Sequence, residues 1–431
     1  MAELYIKTRA LAKGLKDAYT SIDSFFKYAS PIAPFINNLK GNGQIPSGQS
    51  LEIKLKGYRT AKNGATASFA NDFENDIKRV LRFNRQAIES TEVSEKDSSF
   101  NLDGISEITE QMVDGNMRRF GLNISEVIYL NAGRVIDGTL SNLTVQEAKS
   151  FLNANGAEGN KVFVDDYGQS LLAESAKTLY QGVNDINSEI YKKGQVASLA
   201  GTPVMRIGYD ESQEIVTGTR NTTGAVKGNV ADKAEEITIT IGAGETVKAG
   251  EVFEIAGIQD RGASKNIPGA KTFRVIPRTK GLEQDGYVAS NLADVEFIAD
   301  GNGDVTLPVT LEGETLRYPQ DGIQNSPNIN KQITDGAVVT FKGAAESRFK
   351  GYLVAGKDFV YAGALPEKTT PMDKGGLAEI AVATNNLSVK MTAEKDISTE
   401  SVKYVTRLKH GIFSGRQNFS ALIIDWSNPE A

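Results

Sequence analysis

The chain has 431 residues and a mass of 46.4 kDa, with 40% hydrophobic residues, 24% charged residues and a net charge of -6. It contains no cysteine, and His410 is its one histidine, so disulfide-stapled domains, thiolate metal sites and polyhistidine metal centres within one subunit are excluded. The mildly acidic balance argues against a dedicated nucleic-acid clamp, and the length allows two or three cores, since domains commonly run about 100–200 residues.

No membrane or targeting segment is predicted. The first residues lack the apolar core and the small-residue cleavage site of a signal peptide. No stretch of the sequence approaches the roughly 20 consecutive apolar residues that span a bilayer. These features favour a cytoplasmic protein.

Residues 1–40 are predicted to form an extended or partly helical arm. Apolar residues between Leu11 and Ile22 fall on one helical face, and Pro31 and Pro34 stop any helix. The segment cannot bury much surface by itself. It therefore needs a partner surface, either on its own body or on a neighbouring subunit.

Residues 41–102 are predicted to form a charged two-stranded ribbon. The run 51–56 alternates apolar and charged residues, and a second run starts at Val80 and continues toward Ile88. A turn signal at 62–66 lies between them. Because an isolated two-stranded hairpin is marginal in water, we expect the ribbon to lie against something else, such as another copy of the chain.

A basic cluster on this ribbon is a candidate contact site. Arg79, Arg82 and Arg85 lie opposite Asp72, Glu74 and Asp76, which come earlier in the segment. In a single strand, Arg79 and Arg85 share one face and Arg82 points to the other. The cluster indicates either a solubilising charged surface or charge-paired contact with a neighbouring subunit, and the two interpretations stay open.

Residues 103–137 are the best candidate for a long helix. Apolar residues keep roughly helical spacing from Ile105 to Ile136. Glycines interrupt the pattern, and each weakens the helix by about 1 kcal/mol relative to alanine. A break at 121–123 is compatible with the pattern.

Residues 143–216 are predicted to form an α/β segment. Thr144 opens a capping-box pattern that predicts a short helix ending at Gly156. The apolar run 162–164 predicts a buried strand, and Asp165 is positioned to cap a second helix. The segment then continues as one bent strand or two short strands before residue 217.

Residues 217–345 lose helical periodicity and are predicted to form an inserted antiparallel β-barrel domain. Short alternating runs with glycine turns are typical of a small barrel or sandwich. The two ends of such an insertion must lie close together. The predicted strands are 237–241, 252–255, 272–276, 295–298 and 305–311.

The chain is predicted to return to the α/β body at residues 346–390, and residues 391–431 are predicted to form C-terminal strands. The last two strands have the pattern of a hairpin with a turn near Gly411 and one strongly apolar strand. The strands of this part are expected at 352–354, 359–362, 402–408 and 419–426.

Two short motifs resemble ligand sites but do not fit them. The spacing from Gly351 to Lys357 matches a phosphate loop, yet Asp358 stands where a hydroxyl should bind magnesium, and the context is strand–turn–strand. Asp300 and Asp304 offer oxygen ligands as in calcium loops, but the downstream glutamate is missing, which favours a hairpin turn.

The remaining polar candidates have structural interpretations. The adjacent acids Asp165 and Asp166 are typical of a helix cap, and the pair at 235–236 is typical of a solvated strand edge. His410 beside Gly411 is most simply a surface residue. No catalytic motif is found, and the sequence predicts no catalytic residue, no cofactor and no metal.

Several stretches resemble a known family in sequence and in order. They are GQVASLAGTPVM at 194–205, KAGEVFEIAGI at 248–258, KNI at 265–267 with TFRVI at 272–276, and PNIN at 327–330. Together with the order of elements, they resemble the major capsid proteins of tailed bacteriophages, which have the Hong Kong 97 fold. More narrowly, they resemble the P-twenty-two-like coat proteins, which carry an insertion domain. The similarity extends over most of the chain from about residue 100.

The resemblance implies an α+β capsid fold. The implied parts are an N-terminal arm (1–40), an E-loop ribbon (41–102), the spine helix of a P-domain (103–142), the first part of an A-domain (143–216), an inserted β-barrel (217–345), the A-domain return (346–390) and P-domain C-terminal strands (391–431).

The same resemblance implies function and partners. Copies of the chain would form the hexamers and pentamers of an icosahedral virion shell, assembled in the bacterial host cytoplasm with a scaffolding protein and a portal protein. The shell would enclose double-stranded DNA without sequence specificity, with no membrane partner and no enzymatic activity. A loop of the insertion bridges subunits across two-fold axes in this family, and the corresponding stretch here would run from about Arg220 to Asp232, with Arg220, Lys227 and Asp232 as candidate contact residues.

Two alternatives are kept. The first is an encapsulin-type cargo compartment of the same fold class, which the insertion disfavours. The second is a soluble carbohydrate-active or carbohydrate-binding β protein, which would need an acid pair brought together by folding.

Overall fold

A computed structural model of the chain describes the helices α1 (Asn142–Ala154) and α2 (Asp166–Leu179) over their whole length, a 3-10 helix at Gln417–Phe419, and helical residues at 111, 112 and 115. The structure describes residues 37–38, 50–55, 77–82, 85–94, 111–112, 115, 132–179, 198–199, 201–206, 213–261, 266–276, 295–310, 315–319, 327–356, 359–364, 377–384, 387–396, 401–414 and 417–429.

Strands make up most of the described structure. In chain order they are β1 (Asn37–Asn38), β2 (Ser50–Leu55), β3 (Ile77–Arg82), β4 (Arg85–Ser94), β5 (Arg134–Asp137), β6 (Lys161–Val164), β7 (Ser198–Leu199), β8 (Thr202–Arg206), β9 (Gln213–Val216), β10 (Thr223–Val226), β11 (Glu236–Thr240), β12 (Thr246–Lys248), β13 (Val252–Arg261), β14 (Asn266–Arg274), β15 (Glu296–Ile298), β16 (Asp304–Pro308), β17 (Val338–Phe341), β18 (Arg348–Ala355), β19 (Val360–Ala364), β20 (Leu377–Thr384), β21 (Leu387–Asp396), β22 (Ser401–Ser414) and β23 (Ser420–Ile424).

The chain divides into two compact units. The first comprises Met1–Leu51, Leu81–Ile124 and Tyr361–Phe413, and the second comprises Glu52–Val80, Ser125–Val360 and Ser414–Ala431. The predicted insertion and the α/β body therefore belong to one compact unit.

The first unit contains a sheet of long strands ordered β1-β19-β22-β21-β20, with β4 also paired to β22. Residues Ser401 to Leu408 of β22 have antiparallel neighbours on both sides, β21 and β4. The strands of the segment 346–390 are therefore divided between two sheets, because β20 lies in this sheet whereas β18 lies in the seven-stranded sheet of the second unit.

The second unit is built around a seven-stranded body sheet, ordered β5-β23-β18-β6-β8-β7 with β9 paired to β18. All five residues of β23 are buried. Helix α1 packs on this sheet through Val145, Ala148, Phe151 and Leu152, which are buried at helical spacing. We call this sheet with α1 and α2 the body.

Both body helices begin at side-chain caps. Ser141 caps α1, and its capping box with Thr144 puts the start of α1 before the predicted Thr144. Gly156, at φ +79°, follows the helix as predicted. The cap predicted at Asp165 is confirmed, because its Oδ1 accepts a hydrogen bond from the Gly168 amide at 2.8 Å.

The inserted segment between β9 and β18, which we call the insertion, forms an antiparallel six-stranded sheet ordered β14-β13-β17-β10-β11-β16, with a two-stranded sheet of β12 and β15. Both sheets contribute to one apolar core that includes Ile239, Val247, Phe253 and Phe341. All five strands predicted in this segment are present, with shifted ends, and β10, β12 and β17 were not predicted.

The predicted barrel is not confirmed, because the structure shows no closed barrel in the residues that it describes. The outer strands β14 and β16 do not pair, and one backbone hydrogen bond, from the Ile276 amide to the Pro308 carbonyl at 2.8 Å, joins the chain at their ends. Pro308 ends β16 and has no N–H to extend a ladder, which keeps the sheet open at this point.

Two other predictions need correction. Most of the predicted helix 103–137 lies outside the described residues, and residues 111, 112 and 115 within it are helical as predicted. Its last part is β5, because Val135 and Ile136 pair with β23 in parallel. The predicted C-terminal hairpin is also wrong. Strand β22 runs through Gly411 to Ser414 without a turn, and it lies in a different sheet from β23.

The ribbon prediction is confirmed in its pairing, since β2 and β3 form a two-stranded sheet. Its second strand does not continue to Ile88, which lies instead in β4. The stretch predicted as one bent strand or two short strands forms two strands, β7 and β8. No helix among the described residues has the length and apolar character needed to cross a bilayer.

Candidate functional site

The predicted contact residues of the ribbon are only partly described. Asp72 and Glu74 lie outside the described residues. Arg79 and Arg82 belong to β3 and Arg85 begins β4, so the three arginines do not share one strand and the parity argument that linked them does not apply.

Lys227 lies on the surface of the insertion and pairs with Asp304. The Lys227 ammonium donates to the Asp304 carboxylate, and Thr240 Oγ1 donates to the same carboxylate at 2.6 Å. The bonds from Lys227 and then Thr240 lower the pKa of Asp304, and the Asp304 contact raises the pKa of Lys227. Since the Lys227 side chain is 56% exposed, it is accessible to a partner.

Asp232, the third predicted residue of this loop, is half-buried and accepts a hydrogen bond from the Tyr318 amide at 3.4 Å.

Arg220 was predicted at a subunit contact, but its side chain is fully buried within the insertion. Its Nε lies 2.6 Å from Glu251 Oε2, and its two terminal nitrogens donate to the carbonyls of Gly343 and Lys342. The guanidinium also lies 4.8 Å from the centroid of the Phe341 ring. A group held on all these sides has a structural role, so its assignment to a contact surface is corrected.

Glu251 completes this buried cluster. Its Oε1 accepts hydrogen bonds from the backbone amides of Gly218 and Lys248, each at 2.7 Å. The ion pair therefore joins three stretches of chain: the entry to the insertion near Gly218, the approach to β13, and the exit near Gly343.

The entry and exit are also bonded directly to each other. The Thr217 amide donates to the Ser347 carbonyl at 3.0 Å, the Ser347 amide donates to Thr217 Oγ1 at 2.9 Å, and the Glu346 amide donates to the Gly218 carbonyl at 3.0 Å. The ladder continues into the body, where Val216 pairs with Arg348. We call this double crossing the neck, and it brings the ends of the insertion together as expected for an inserted segment.

Two further buried ion pairs stabilise this unit. Lys271 Nζ lies 2.7 Å from Asp260 Oδ1 within the β13–β14 pair, and Lys350 binds Asp165 in the body. Sequence reasoning missed both pairs, as well as Arg220–Glu251. The two residues of each pair lie on different stretches of the chain, and each pair is closed only by the tertiary fold.

The structure gives structural roles to the two motifs that were rejected as ligand sites. Gly351 lies inside β18, a strand that no helix follows directly. Asp300 Oδ1 accepts hydrogen bonds from the amides of Asn302 and Asp304, as in a turn. The strands on either side of this turn, β15 and β16, pair with other strands, so the predicted hairpin is not formed. Within the described residues, no group of three acidic or histidine side chains could hold a metal ion.

Comparisons with known proteins give remote structural similarity. No family model matches the sequence, and no curated protein matches it significantly. The structure of Mycobacterium phage Che8 matches 91% of this chain and 90% of its own at 8% identity and a TM-score of 0.40. The capsid of cyanophage P-SCSP1u matches 89% and 85% at 10% identity and a TM-score of 0.42, and the capsid of Staphylococcus phage Andhra matches 92% and 84% at 8% identity and a TM-score of 0.38.

Proposed function

We propose that the chain is a major capsid protein whose copies assemble into an icosahedral shell of a tailed bacteriophage. The observation that carries the proposal is the order of its elements: a two-stranded ribbon, then an α/β body, interrupted between β9 and β18 by a β-sheet insertion, and finally long strands. This order agrees with the family that the sequence resembles.

The ribbon supports the proposal on physical grounds. Strands β2 and β3 form a sheet of two strands, which is too small to be stable alone in water. In the proposed shell, a neighbouring subunit supplies the surface against which the ribbon lies. The arginines of β3 and β4 are the proposed charged contacts.

The proposed role is structural and not enzymatic. The shell encloses double-stranded DNA, and the net charge of -6 suits DNA that is packed in rather than bound tightly by the shell. Its proposed partners are other copies in hexamers and pentamers, a scaffolding protein that guides a procapsid, and a portal protein. Assembly takes place in the cytoplasm of the bacterial host.

Electron microscopy of the expressed chain, alone and with the scaffolding protein, tests this proposal. Closed particles of uniform size with icosahedral symmetry are expected. A chain that stays monomeric under all assembly conditions contradicts the proposal. Closed shells that contain protein cargo and never package DNA would identify an encapsulin-type compartment instead.

A further inference from the structure

The insertion lies against the open edge of the body sheet. Strand β5 is the last strand of that sheet, paired with β23 on one side. On its other side, residues of β14 contact β5. An open edge strand carries backbone groups that need partners, and covering it with another element is a common solution.

One outward amide of β5 is satisfied by the insertion. In the parallel register of β5 with β23, the Val135 amide points away from β23, and it donates to Thr272 Oγ1 of β14 at 2.8 Å. Both residues are buried. Since Thr272 comes 137 positions later in the chain, this hydrogen bond joins the body to the insertion independently of the neck.

Arg134 makes a second connection next to the first. Its Nη1 donates to the Pro268 carbonyl of the insertion at 2.8 Å, and its Nη2 lies 3.8 Å from Glu147 on α1. The guanidinium also lies 5.5 Å from the centroid of the Phe151 ring. The Arg134 side chain is 13% exposed. Glu147 and Phe151 of the body hold the guanidinium in place, and the Pro268 carbonyl of the insertion accepts the hydrogen bond from its Nη1.

The backbone of β14 is shaped for this contact. Gly269 adopts φ +99°, and a Cβ at this position would lie 2.0 Å from Arg134 Nη2. Any other residue would collide with the guanidinium and would be strained by the positive φ. The glycine therefore provides the space through which Arg134 reaches the Pro268 carbonyl.

Polar contacts and a cavity adjoin this connection. A cavity of about 190 Å³ lies beside it, lined by Arg134 and Glu147 of the body and by Glu254, Thr272 and Lys342 of the insertion. Glu254 and Lys342 pair with each other at 3.0 Å. A junction held by a few polar bonds beside a cavity can open without disrupting either core.

We propose that Arg134 and Thr272 form a polar latch that docks the insertion on the β5 edge of the body. With the latch closed, the neck and this contact hold the insertion at two separate places, and the insertion and the body move as one piece. With the latch open, the neck alone connects them. The proposal concerns a single chain and does not depend on shell formation.

Hydrogen–deuterium exchange of the full-length chain tests the latch. Arg134→Met is compared with Arg348→Met, which removes the same charge from an exposed arginine that pairs with Glu214. Thr272→Val removes the hydroxyl acceptor, and Thr272→Ser retains it. In Arg134→Met and Thr272→Val, exchange of peptides covering 132–137 is expected to rise by about tenfold or more, while peptides of β11 and β23 keep their protection. Both controls are expected to match the wild type.

Two results overturn the proposal. One is an exchange rate at 132–137 that stays within about twofold of the wild type in both latch variants. The other is an equal loss of protection in β11 and β23, because it would show that these residues are needed for the fold as a whole rather than for docking.

Discussion

Arg220 Nε lies 2.6 Å from Glu251 Oε2, and both side chains are completely inaccessible to solvent. Glu251 also accepts the amides of Gly218 and Lys248, so the carboxylate has protein donors on both oxygens. Burying a charge is costly unless it is paired and hydrogen-bonded, and this pair meets both conditions. The two residues therefore stabilise the neck as one unit.

Removing one charge of this pair should strongly destabilise the chain. Arg220→Met and Glu251→Gln are each expected to lower the free energy of unfolding by about 3–5 kcal/mol, because each leaves an uncompensated buried charge. Glutamine retains an oxygen for the two amides. The double variant should be more stable than the sum of the two single losses predicts, as measured by urea unfolding.

The exposed pair of Arg348 and Glu214 is the matched control. These side chains are 60% and 45% exposed, and Glu214→Gln should change the free energy of unfolding by at most about 1 kcal/mol. Strictly additive losses in the Arg220 and Glu251 variants would show that the two charges do not stabilise each other.

The close approach of Gly218 to the backbone of Thr246 leads to a second prediction. A Cβ at this position would lie 2.2 Å from the Thr246 carbonyl oxygen, which is backbone and cannot rotate away. Gly218→Ala is expected to lower the free energy of unfolding by about 1–3 kcal/mol, as overpacking does. Thermal unfolding followed by circular dichroism measures this loss.

Gly301 is the control for this substitution, since a Cβ there meets no atom within 4 Å. Gly301→Ala should stay within about 0.5 kcal/mol of the wild type. Equal stability of the two alanine variants would contradict the close packing of the neck.

The strands of the insertion could be predicted because their pattern is local. In β11, Ile237 and Ile239 are 1% and 0% exposed, and the threonines beside them are partly exposed, which is the alternation that the sequence displays. The apolar run of β23 was recognisable for the same reason. By contrast, three of the eight residues of β20 are alanine, and β21 ends in Ala, Glu, Lys and Asp, all of which are depleted in strands and give little signal.

Pairing between distant segments could not be predicted in the same way. Val135 and Ile136 continue a helical pattern along the sequence, but the parallel partner β23 makes them a strand. Arg220 and Glu251 are 31 positions apart, and no spacing rule connects them. For this reason the candidate contact residue Arg220 was placed on a surface, whereas the structure buries it.

Acid should lower the stability of the folded chain partly by protonating the Asp425 carboxylate. Hydrogen bonds from Ser427 and from Thr139 lower the pKa of Asp425 below its ordinary value of 3.8. Because the unfolded chain then binds this proton more readily, the stabilisation from the ionised carboxylate is complete above about pH 3.8 and is lost as the pH falls through the folded pKa. Asp425→Asn should reduce the fall in stability below this pH.

Urea midpoints between about pH 6 and about pH 2.5 measure this effect, with Glu158→Gln as the control because Glu158 is exposed. An Asp425→Asn profile parallel to that of the wild type would show that these hydrogen bonds do not act on acid stability.

Charge reversal in the ribbon tests the proposed contact between subunits. In the double variant Arg79→Glu with Arg82→Glu, like charges would face the acids proposed as partners of these arginines, such as Asp72 and Glu74 of a neighbouring ribbon, and facing like charges cost several kcal/mol at an interface. We expect the yield of closed particles to fall at least about tenfold, while circular dichroism and thermal unfolding remain at wild-type values, because the proposed contact lies between subunits. Lys331→Glu, at an exposed position of the insertion, reverses one charge outside the ribbon and should leave assembly intact. If the double variant assembles as well as the wild type, the arginines serve only solubility, which is the other interpretation of the cluster.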